Sequence, residues 1–149
     1  MKFYNCPNCD SRFPARPAAC PSCGEPVAAA DWKEIDVEAP PMPEKPTAVE
    51  LHGDLGHPFI FRRQSYAMSV GRPSLAAVSS QVNCCEREQF VLQWEGDACS
   101  IAPPLQPPRN ATFVDGVRLT GKMPLRQGGG IDLRGNSGRT AMPLTVLYS

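Results

Sequence analysis

Four cysteines near the N-terminus constrain the fold of this chain more than any other feature. They form two Cys-x-x-Cys pairs, Cys6 with Cys9 and Cys20 with Cys23, separated by ten residues. Four thiolates at this spacing can surround one soft divalent ion in a tetrahedron, which leaves no open position for water or substrate. We therefore expect one structural metal ion, either zinc or iron, since both accept this ligand set. Two disulfides or four idle thiols are the alternative interpretation.

Composition divides the 149 residues into three zones. Residues 1–26 hold the cysteine pairs and are too few to fold without a metal, so they are predicted to form a zinc ribbon. Residues 27–48 are rich in proline and carry five acidic against two basic residues, a net charge of −3, which predicts an extended linker without ordered structure. Trp32 in this linker either docks on a neighbouring surface or stays solvated. A linker of this kind should let the modules on either side tumble with considerable independence.

Residues 49–149 contain short apolar stretches that are interrupted by Gly, Pro, Asn and Asp. Several stretches alternate with period two or are rich in β-branched and aromatic residues, and none reaches helical length. Asp115-Gly116 is the signal of a tight hairpin turn. The pattern predicts a mainly β fold, a sandwich or a barrel. The candidate strands are Val49–Leu51, Phe59–Phe61, Tyr66–Val70, Phe90–Trp94, Cys99–Ala102, Thr112–Val114, Val117–Leu119, Ile131–Leu133 and Leu144–Tyr148.

Several classes of protein are disfavoured by the sequence. Fifteen basic residues balance fifteen acidic ones, so no global attraction to nucleic acid or to an anionic membrane is expected. No apolar run approaches the roughly 20 residues that span a bilayer, and no signal peptide is recognisable, which favours the cytoplasm. The two histidines, His52 and His57, are expected at the surface, and no nucleophile–base pair is apparent. The sequence therefore predicts a protein that is not an enzyme.

Three further cysteines lie outside the metal pattern: Cys84, Cys85 and Cys99. Free cysteine behaves as a small apolar residue, and burial or half-burial is the expectation for all three. A redox role for the adjacent pair is the alternative, but nothing in the surrounding sequence indicates a lowered thiol pKa.

Four segments of the third zone occur in an order that resembles the forkhead-associated (FHA) domain, a β-sandwich that binds phosphothreonine peptides with loops at one end. The family pattern is Gly-Arg, then Ser-Arg-x-His, then Asn-Gly-Thr-aromatic-aliphatic-Asn-Gly, then Leu-x-x-Gly-Asp-x-Ile-x-Leu-Gly. The resemblance covers roughly residues 49–149. It is carried by Val70–Arg72, Glu86–Phe90, Arg109–Gly116 and Leu125–Gly135.

The resemblance implies a candidate peptide- and phosphate-binding site. Arg72 and Asn110 match family positions that hold the phosphate and the peptide backbone, and Arg87 matches the arginine of Ser-Arg-x-His. The pattern is broken at Glu86, which replaces the serine, and at Gln89, which replaces the histidine. Ala111, Asp115 and Gly129 are further departures.

Glu86 is the most consequential of these departures. A carboxylate cannot donate to phosphate, and two unit charges 4 Å apart repel by about 4 kcal/mol near a protein surface. We expect its carboxylate to pair with Arg72 and Arg87 and so to occupy the phosphate position itself, since arginine accepts carboxylate and phosphate alike.

The function that the sequence favours is that of a cytoplasmic adaptor, which binds a protein partner through the loop end of the sandwich. True phosphothreonine recognition, with a phosphoprotein as partner, is one alternative. Nucleic-acid binding by the ribbon is another, but the ribbon offers only Lys2, Arg12 and Arg16 against Asp10 and Glu25. Phosphate contacts dominate nucleic-acid affinity, so this charge favours a protein partner.

Overall fold

The computed structural model of the chain describes residues 1–13, 16, 18–20, 22–134 and 142–149. Thirteen strands, one short α-helix and two 3₁₀ turns make up the regular structure of these residues. The strands form one small sheet near the N-terminus and two larger sheets that follow it.

The small sheet comprises three antiparallel strands in the order β2-β1-β3. Its strands are β1 (Lys2–Asn5), β2 (Arg12–Phe13) and β3 (Lys33–Asp36). A 3₁₀ turn, Ala29–Asp31, leads into β3. Strand β3 lies inside the segment predicted as an unstructured linker, so that expectation is wrong for Lys33–Asp36. The domain boundaries themselves stay a prediction.

The physical reason for β3 is its partner rather than its own sequence. Lys33-Glu34-Ile35-Asp36 is too polar to form a strand alone, but it pairs with the whole of β1, from Lys2 opposite Asp36 to Asn5 opposite Lys33. Trp32, which precedes it, is buried against Phe13, with ring centroids 5.9 Å apart in an edge-to-face arrangement. The docked alternative for Trp32 is therefore the one that the structure shows.

The first sheet of the sandwich has six strands in the order β10-β9-β12-β13-β4-β5. All its neighbouring strands are antiparallel. Its members are β4 (Ala48–His52), β5 (Phe59–Arg62), β9 (Ala111–Val114), β10 (Val117–Arg118), β12 (Gly130–Arg134) and β13 (Leu144–Tyr148).

The second sheet has four antiparallel strands in the order β11-β8-β7-β6. They are β6 (Met68–Val70), β7 (Phe90–Glu95), β8 (Ala98–Ala102) and β11 (Met123–Pro124). The helix α1 (Arg72–Leu75) follows β6, and a 3₁₀ turn, Val82–Cys84, precedes β7.

Alternating side chains from both sheets fill the core between them. In β7, for example, Phe90, Leu92 and Trp94 are buried while the residues between them are half-buried or exposed. Tyr148 ties the two sheets together, because its hydroxyl donates to the Leu125 carbonyl at 2.6 Å and accepts from the Cys99 amide at 2.9 Å. Among the described residues, those of the ribbon are absent from the apolar core of the sandwich.

All nine strands predicted from sequence are present, with ends that differ by one or two residues. Tyr66 lies outside β6 and its side chain is 77% exposed. The predicted hairpin turn at Asp115-Gly116 is confirmed, since both residues have positive φ, 49° and 82°. The strands that sequence did not predict, β1, β2, β3 and β11, are two to four residues long or dominated by polar side chains.

Candidate functional site

The four ribbon cysteines converge on one point. Their sulfur atoms all lie within 4.8 Å of one another. Cys6 Sγ is 3.8 Å from Cys23 Sγ, and Cys9 Sγ is 3.6 Å from Cys20 Sγ. Sulfurs bound at about 2.3 Å to one tetrahedral ion are about 3.8 Å apart, whereas disulfide sulfurs are about 2.05 Å apart. The spacing fits a four-thiolate metal site and excludes the disulfide alternative.

Two similar turns bring each cysteine pair into position. After the first pair the Asp10 amide donates to the Cys6 carbonyl at 3.0 Å, and after the second the Gly24 amide donates to the Cys20 carbonyl at 2.8 Å. Asp10 and Gly24 both have positive φ, 62° and 77°. Asp and Gly are among the residues that adopt this conformation most readily, so the residue after each pair permits the turn.

Hydrogen-bond donors and burial determine the environment of the four sulfur atoms. The Asn8 amide nitrogen and its side-chain Nδ2 lie 3.4 Å and 3.5 Å from Cys6 Sγ and Cys23 Sγ, where they can donate to thiolates. Burial raises the pKa of Cys20 to about 11, while hydrogen bonding with Ser11 lowers the pKa of Cys9 to about 6. A bound cation would favour the thiolate form of both.

The candidate peptide site lies at the end of the sandwich where β6 approaches the loop before β7. A Cβ atom on Gly71 would lie 2.0 Å from the Arg87 carbonyl oxygen and 2.5 Å from that of Glu86, so only glycine fits there. The Arg72 amide donates to the Glu86 carbonyl at 2.9 Å, and the Gln89 amide donates to the Val70 carbonyl at 2.9 Å. The loop is therefore joined to the end of β6 through its backbone.

Arg72 and Asn110 both hold carbonyl groups of this loop. Arg72 Nε donates to the Cys85 carbonyl at 3.1 Å, and Asn110 Nδ2 donates to the Cys84 carbonyl at 2.7 Å. The structure thus brings together Arg72, Asn110 and the loop that carries Glu86 and Arg87, as the sequence pattern predicted. Whether these residues bind a peptide stays a prediction.

Gln89 occupies the histidine position of the pattern and holds the two loops of the site together from the protein interior. It is fully buried. Its Oε1 accepts from the Glu86 amide at 2.9 Å, and its Nε2 donates to the Asn110 carbonyl at 2.8 Å and to Thr112 Oγ1 at 3.0 Å. An uncharged amide can bridge the two loops because it supplies an acceptor on one side and donors on the other.

The predicted ion pairs of Glu86 are wrong. Its Oε1 lies 3.6 Å from the Nε atom of Arg109, and in the described part of the chain neither Arg72 nor Arg87 forms an ion pair with it. Arg72 is turned instead toward the Cys85 carbonyl. Sequence analysis did not single out Arg109 as a site residue. Its position next to Asn110 was the available signal in the sequence.

The remaining cysteines and the histidines have ordinary environments. Cys85 and Cys99 are fully buried, Cys84 is half-buried, and burial raises the pKa of all three thiols, to about 12 for Cys85 and Cys99. The expected burial is confirmed. His52 pairs with Glu50 at 3.0 Å, and His57 is exposed.

The loop that follows β12 and the second half of the ribbon are described only in part. Gly135, the last residue of the FHA-like pattern, lies outside the described residues. No helix in the described ranges is both long and apolar enough to cross a bilayer.

The architecture is similar to solved FHA domains. One comes from an analysis of phosphothreonine-dependent FHA domain interactions; it is 20% identical, with a TM-score of 0.50, and the match covers 69% of this chain and 98% of that one. The sandwich has the FHA fold. The FHA structure of Rv0020c is 19% identical with a TM-score of 0.47, covering 68% of this chain and 93% of that one. No protein-family model matches the sequence, and no curated protein is similar to it.

Proposed function

We propose that this protein is a non-catalytic adaptor that binds a protein partner through the loop end of its FHA sandwich. The observation that carries this proposal is the hydrogen-bonded network around Gln89. It fixes two loops by partly buried hydrogen bonds while leaving the side chains of Arg72, Arg87 and Arg109 exposed at the surface. Arginine is the side chain that proteins use most for recognition of carboxylate and phosphate groups.

The ribbon is proposed to hold one structural zinc ion on Cys6, Cys9, Cys20 and Cys23. The separation of the sulfurs and the nearby Asn8 donors support a thiolate cage, and iron is the alternative occupant. With four protein ligands the ion has no position for substrate, so its role is to fold the ribbon as a second contact surface.

Phosphothreonine recognition is the second candidate, and one observation favours it. Within the described residues the Arg72 guanidinium is bonded only through Nε, which leaves its two terminal nitrogens for a ligand. A solved neighbour of the same fold takes part in phosphothreonine-dependent interactions. On this account the loop end binds a phosphorylated segment of the partner.

Nucleic-acid binding by the ribbon is less well supported. The guanidinium of Arg12 lies over the Phe3 ring at 5.9 Å, and that of Arg16 lies over the Tyr4 ring at 5.0 Å. Lys2 pairs with Glu34 at 3.1 Å. The cations and rings that would contact phosphates and bases are thus engaged with one another or with an acidic side chain.

Binding of the full chain to arrays of matched threonine, phosphothreonine and glutamate peptides tests the proposal. We expect a subset of anionic peptides to bind, and Asn110→Ala to weaken this binding because the Cys84 carbonyl loses its donor. Asn83→Ala is the control, since Asn83 is an exposed asparagine next to the same loop. Retention of no peptide by the native chain, or equal binding by Asn110→Ala, contradicts the proposal. A salt-dependent shift of an oligonucleotide would instead favour the nucleic-acid alternative.

A further inference from the structure

An ion pair joins the two loops of the candidate site at the protein surface. Glu86 is on the loop before β7, Arg109 is directly before β9, and their side chains are 36% and 68% exposed. In the described part of the chain, the hydrogen bonds between these loops run from a side-chain amide to a backbone carbonyl, from Gln89 to Asn110 and from Asn110 to Cys84. The ion pair is therefore the connection that a ligand can break without disturbing the loop backbones.

The backbone around the pair is held in place whether or not the pair forms. The Glu86 amide donates to the buried Gln89, and its carbonyl accepts from the Arg72 amide. Asn110, next to Arg109, is bonded through both its carbonyl and its side chain. The two charged side chains can rearrange while this backbone stays fixed, so exchange of one anion for another at Arg109 requires no change of fold.

We propose that Glu86 is an internal competitor for Arg109, and that a partner binds by placing its own anionic side-chain group on Arg109 and displacing Glu86. The ligand group is an oxyanion, supplied either by phosphothreonine or by an acidic residue. Arg109 is thereby an anion-binding residue of the site, and Glu86 sets the affinity. This inference rests on the proposed binding role of the loop end.

The energetics favour competition rather than permanent closure of the site. Exposed ion pairs contribute little to stability because solvent screens them and two long side chains must be ordered. An incoming oxyanion can therefore exchange with Glu86 at modest cost, which corresponds to a factor of about five in affinity at most. The displaced carboxylate stays near the ligand and repels it. Removing the charge of Glu86 should therefore increase affinity whether Glu86 competes for Arg109 or only repels the ligand.

Double-mutant analysis of the full chain separates competition from simple repulsion. The probes are acetyl-Ala-phosphothreonine-Ala-amide and the same peptide with glutamate, titrated by NMR against native protein, Glu86→Gln, Arg109→Gln and the double variant. We expect Glu86→Gln to bind about fivefold more tightly. Arg109→Gln should weaken binding about twofold in the native background and about fivefold or more in the Glu86→Gln background.

The control variant is Glu88→Gln, which removes the same charge from an exposed neighbour in the same loop. Without ligand, Glu86→Gln should shift the Arg109 Nε resonance and Glu88→Gln should not. Equal effects of Arg109→Gln in both backgrounds, or equal gains from Glu86→Gln and Glu88→Gln, overturn the inference and leave the proposed function standing. Absence of binding by every variant to either peptide overturns both. Tighter binding of the phosphothreonine probe than of the glutamate probe identifies phosphate as the displacing group.

Discussion

The ribbon and the FHA sandwich differ in the size of the apolar core that stabilises each of them. The small core that the ribbon shares with the start of the predicted linker contains Phe13, Val27 and Trp32 besides two cysteines, whereas the core of the sandwich contains some twenty buried side chains from two sheets. Small cores rarely supply enough free energy to fold alone, so we expect the ribbon to depend on a metal. The comparison therefore predicts one metal-dependent and one metal-independent module in the same chain.

The two regions also differ in where their polar groups are used. In the ribbon, the backbone amides near the cysteines donate hydrogen bonds to a sulfur atom and to the carbonyls of the turns. In the sandwich, buried polar side chains such as Gln89 and Thr112 hold the loops of the candidate site. A change that removes metal should therefore act on the first region, and a change at Gln89 on the second.

The largest effect is expected from loss of a metal ligand. Cys20→Ser should abolish stoichiometric metal and unfold the ribbon, because binding of structural zinc is worth about 10 kcal/mol or more in small zinc domains. Metal content by mass spectrometry of the native complex measures the result. Cys84→Ser is the control, since Cys84 is no part of the sulfur cluster. Full metal occupancy in Cys20→Ser would contradict the four-ligand site.

The next largest effect is expected at Gln89 in the sandwich. Gln89→Leu removes a buried residue that makes three hydrogen bonds and leaves the Glu86 amide and the Asn110 carbonyl without partners. We expect the free energy of unfolding to fall by about 2–4 kcal/mol, while metal content stays unchanged. Denaturant unfolding checks this, with Gln93→Leu, an exposed glutamine in β7, as the matched control. Equal losses of unfolding free energy in both variants would show that the hydrogen bonds of Gln89 contribute nothing specific to stability.

A smaller effect is expected where the two regions meet. Gly128 has φ +74°, and a Cβ atom there would lie 2.7 Å from Ala39 Cβ. The neighbouring Gln127 donates to the Pro40 carbonyl at 3.0 Å. Gly128→Ala should cost about 1–2 kcal/mol of stability from the backbone conformation alone. It should also shift the amide resonances of residues 38–41.

Gly121→Ala is the control for this substitution, because no atom of the described residues lies within 4 Å of a Cβ atom at Gly121. Shifts confined to residues 125–131 in Gly128→Ala would show that the segment after β3 does not rest on this turn. That result would sharpen the comparison in favour of independent modules, as the sequence analysis expected.

The smallest effect concerns thiol reactivity. Because burial raises the pKa of Cys85 and Cys99 to about 12, almost no thiolate is present at pH 8 and alkylation should be very slow. Chelation should expose the ribbon cysteines to iodoacetamide and leave Cys85 and Cys99 unmodified, as judged by peptide mass spectrometry. Modification of Cys85 at the rate of the ribbon cysteines would indicate that the sandwich opens with the ribbon.

Sequence patterns predicted the parts of the molecule that depend on local spacing. The Cys-x-x-Cys pairs, the alternating strands and the Asp115-Gly116 turn carry their structure in a few consecutive residues, and each is found as expected. The ion-pair partner of Glu86 could not be predicted from such local patterns. Arg72 is drawn to the Cys85 carbonyl and Arg109 reaches Glu86, and both outcomes depend on how the loops are folded against each other.

The sequence analysis failed to predict strand β3 for a related reason. Three of its four residues are charged, and a proline-rich segment follows it, so composition gives no indication of a strand. It forms because β1 offers an unpaired edge and because Trp32 fills the space beside Phe13. A strand that is specified by its partner rather than by its own periodicity is not predictable from a local pattern.

Hydrogen–deuterium exchange of the full chain, with and without a chelator, tests the difference between the two regions most directly. Metal removal should abolish protection of backbone amides in β1 and β3, including those of Tyr4 and Ile35, because the ribbon core is too small to persist. Protection of Leu92 and Ile101 in the centre of the sandwich should stay unchanged. Retained protection in β1 after complete removal of the metal, or parallel loss in β7 and β8, would contradict the account of one metal-dependent and one metal-independent module.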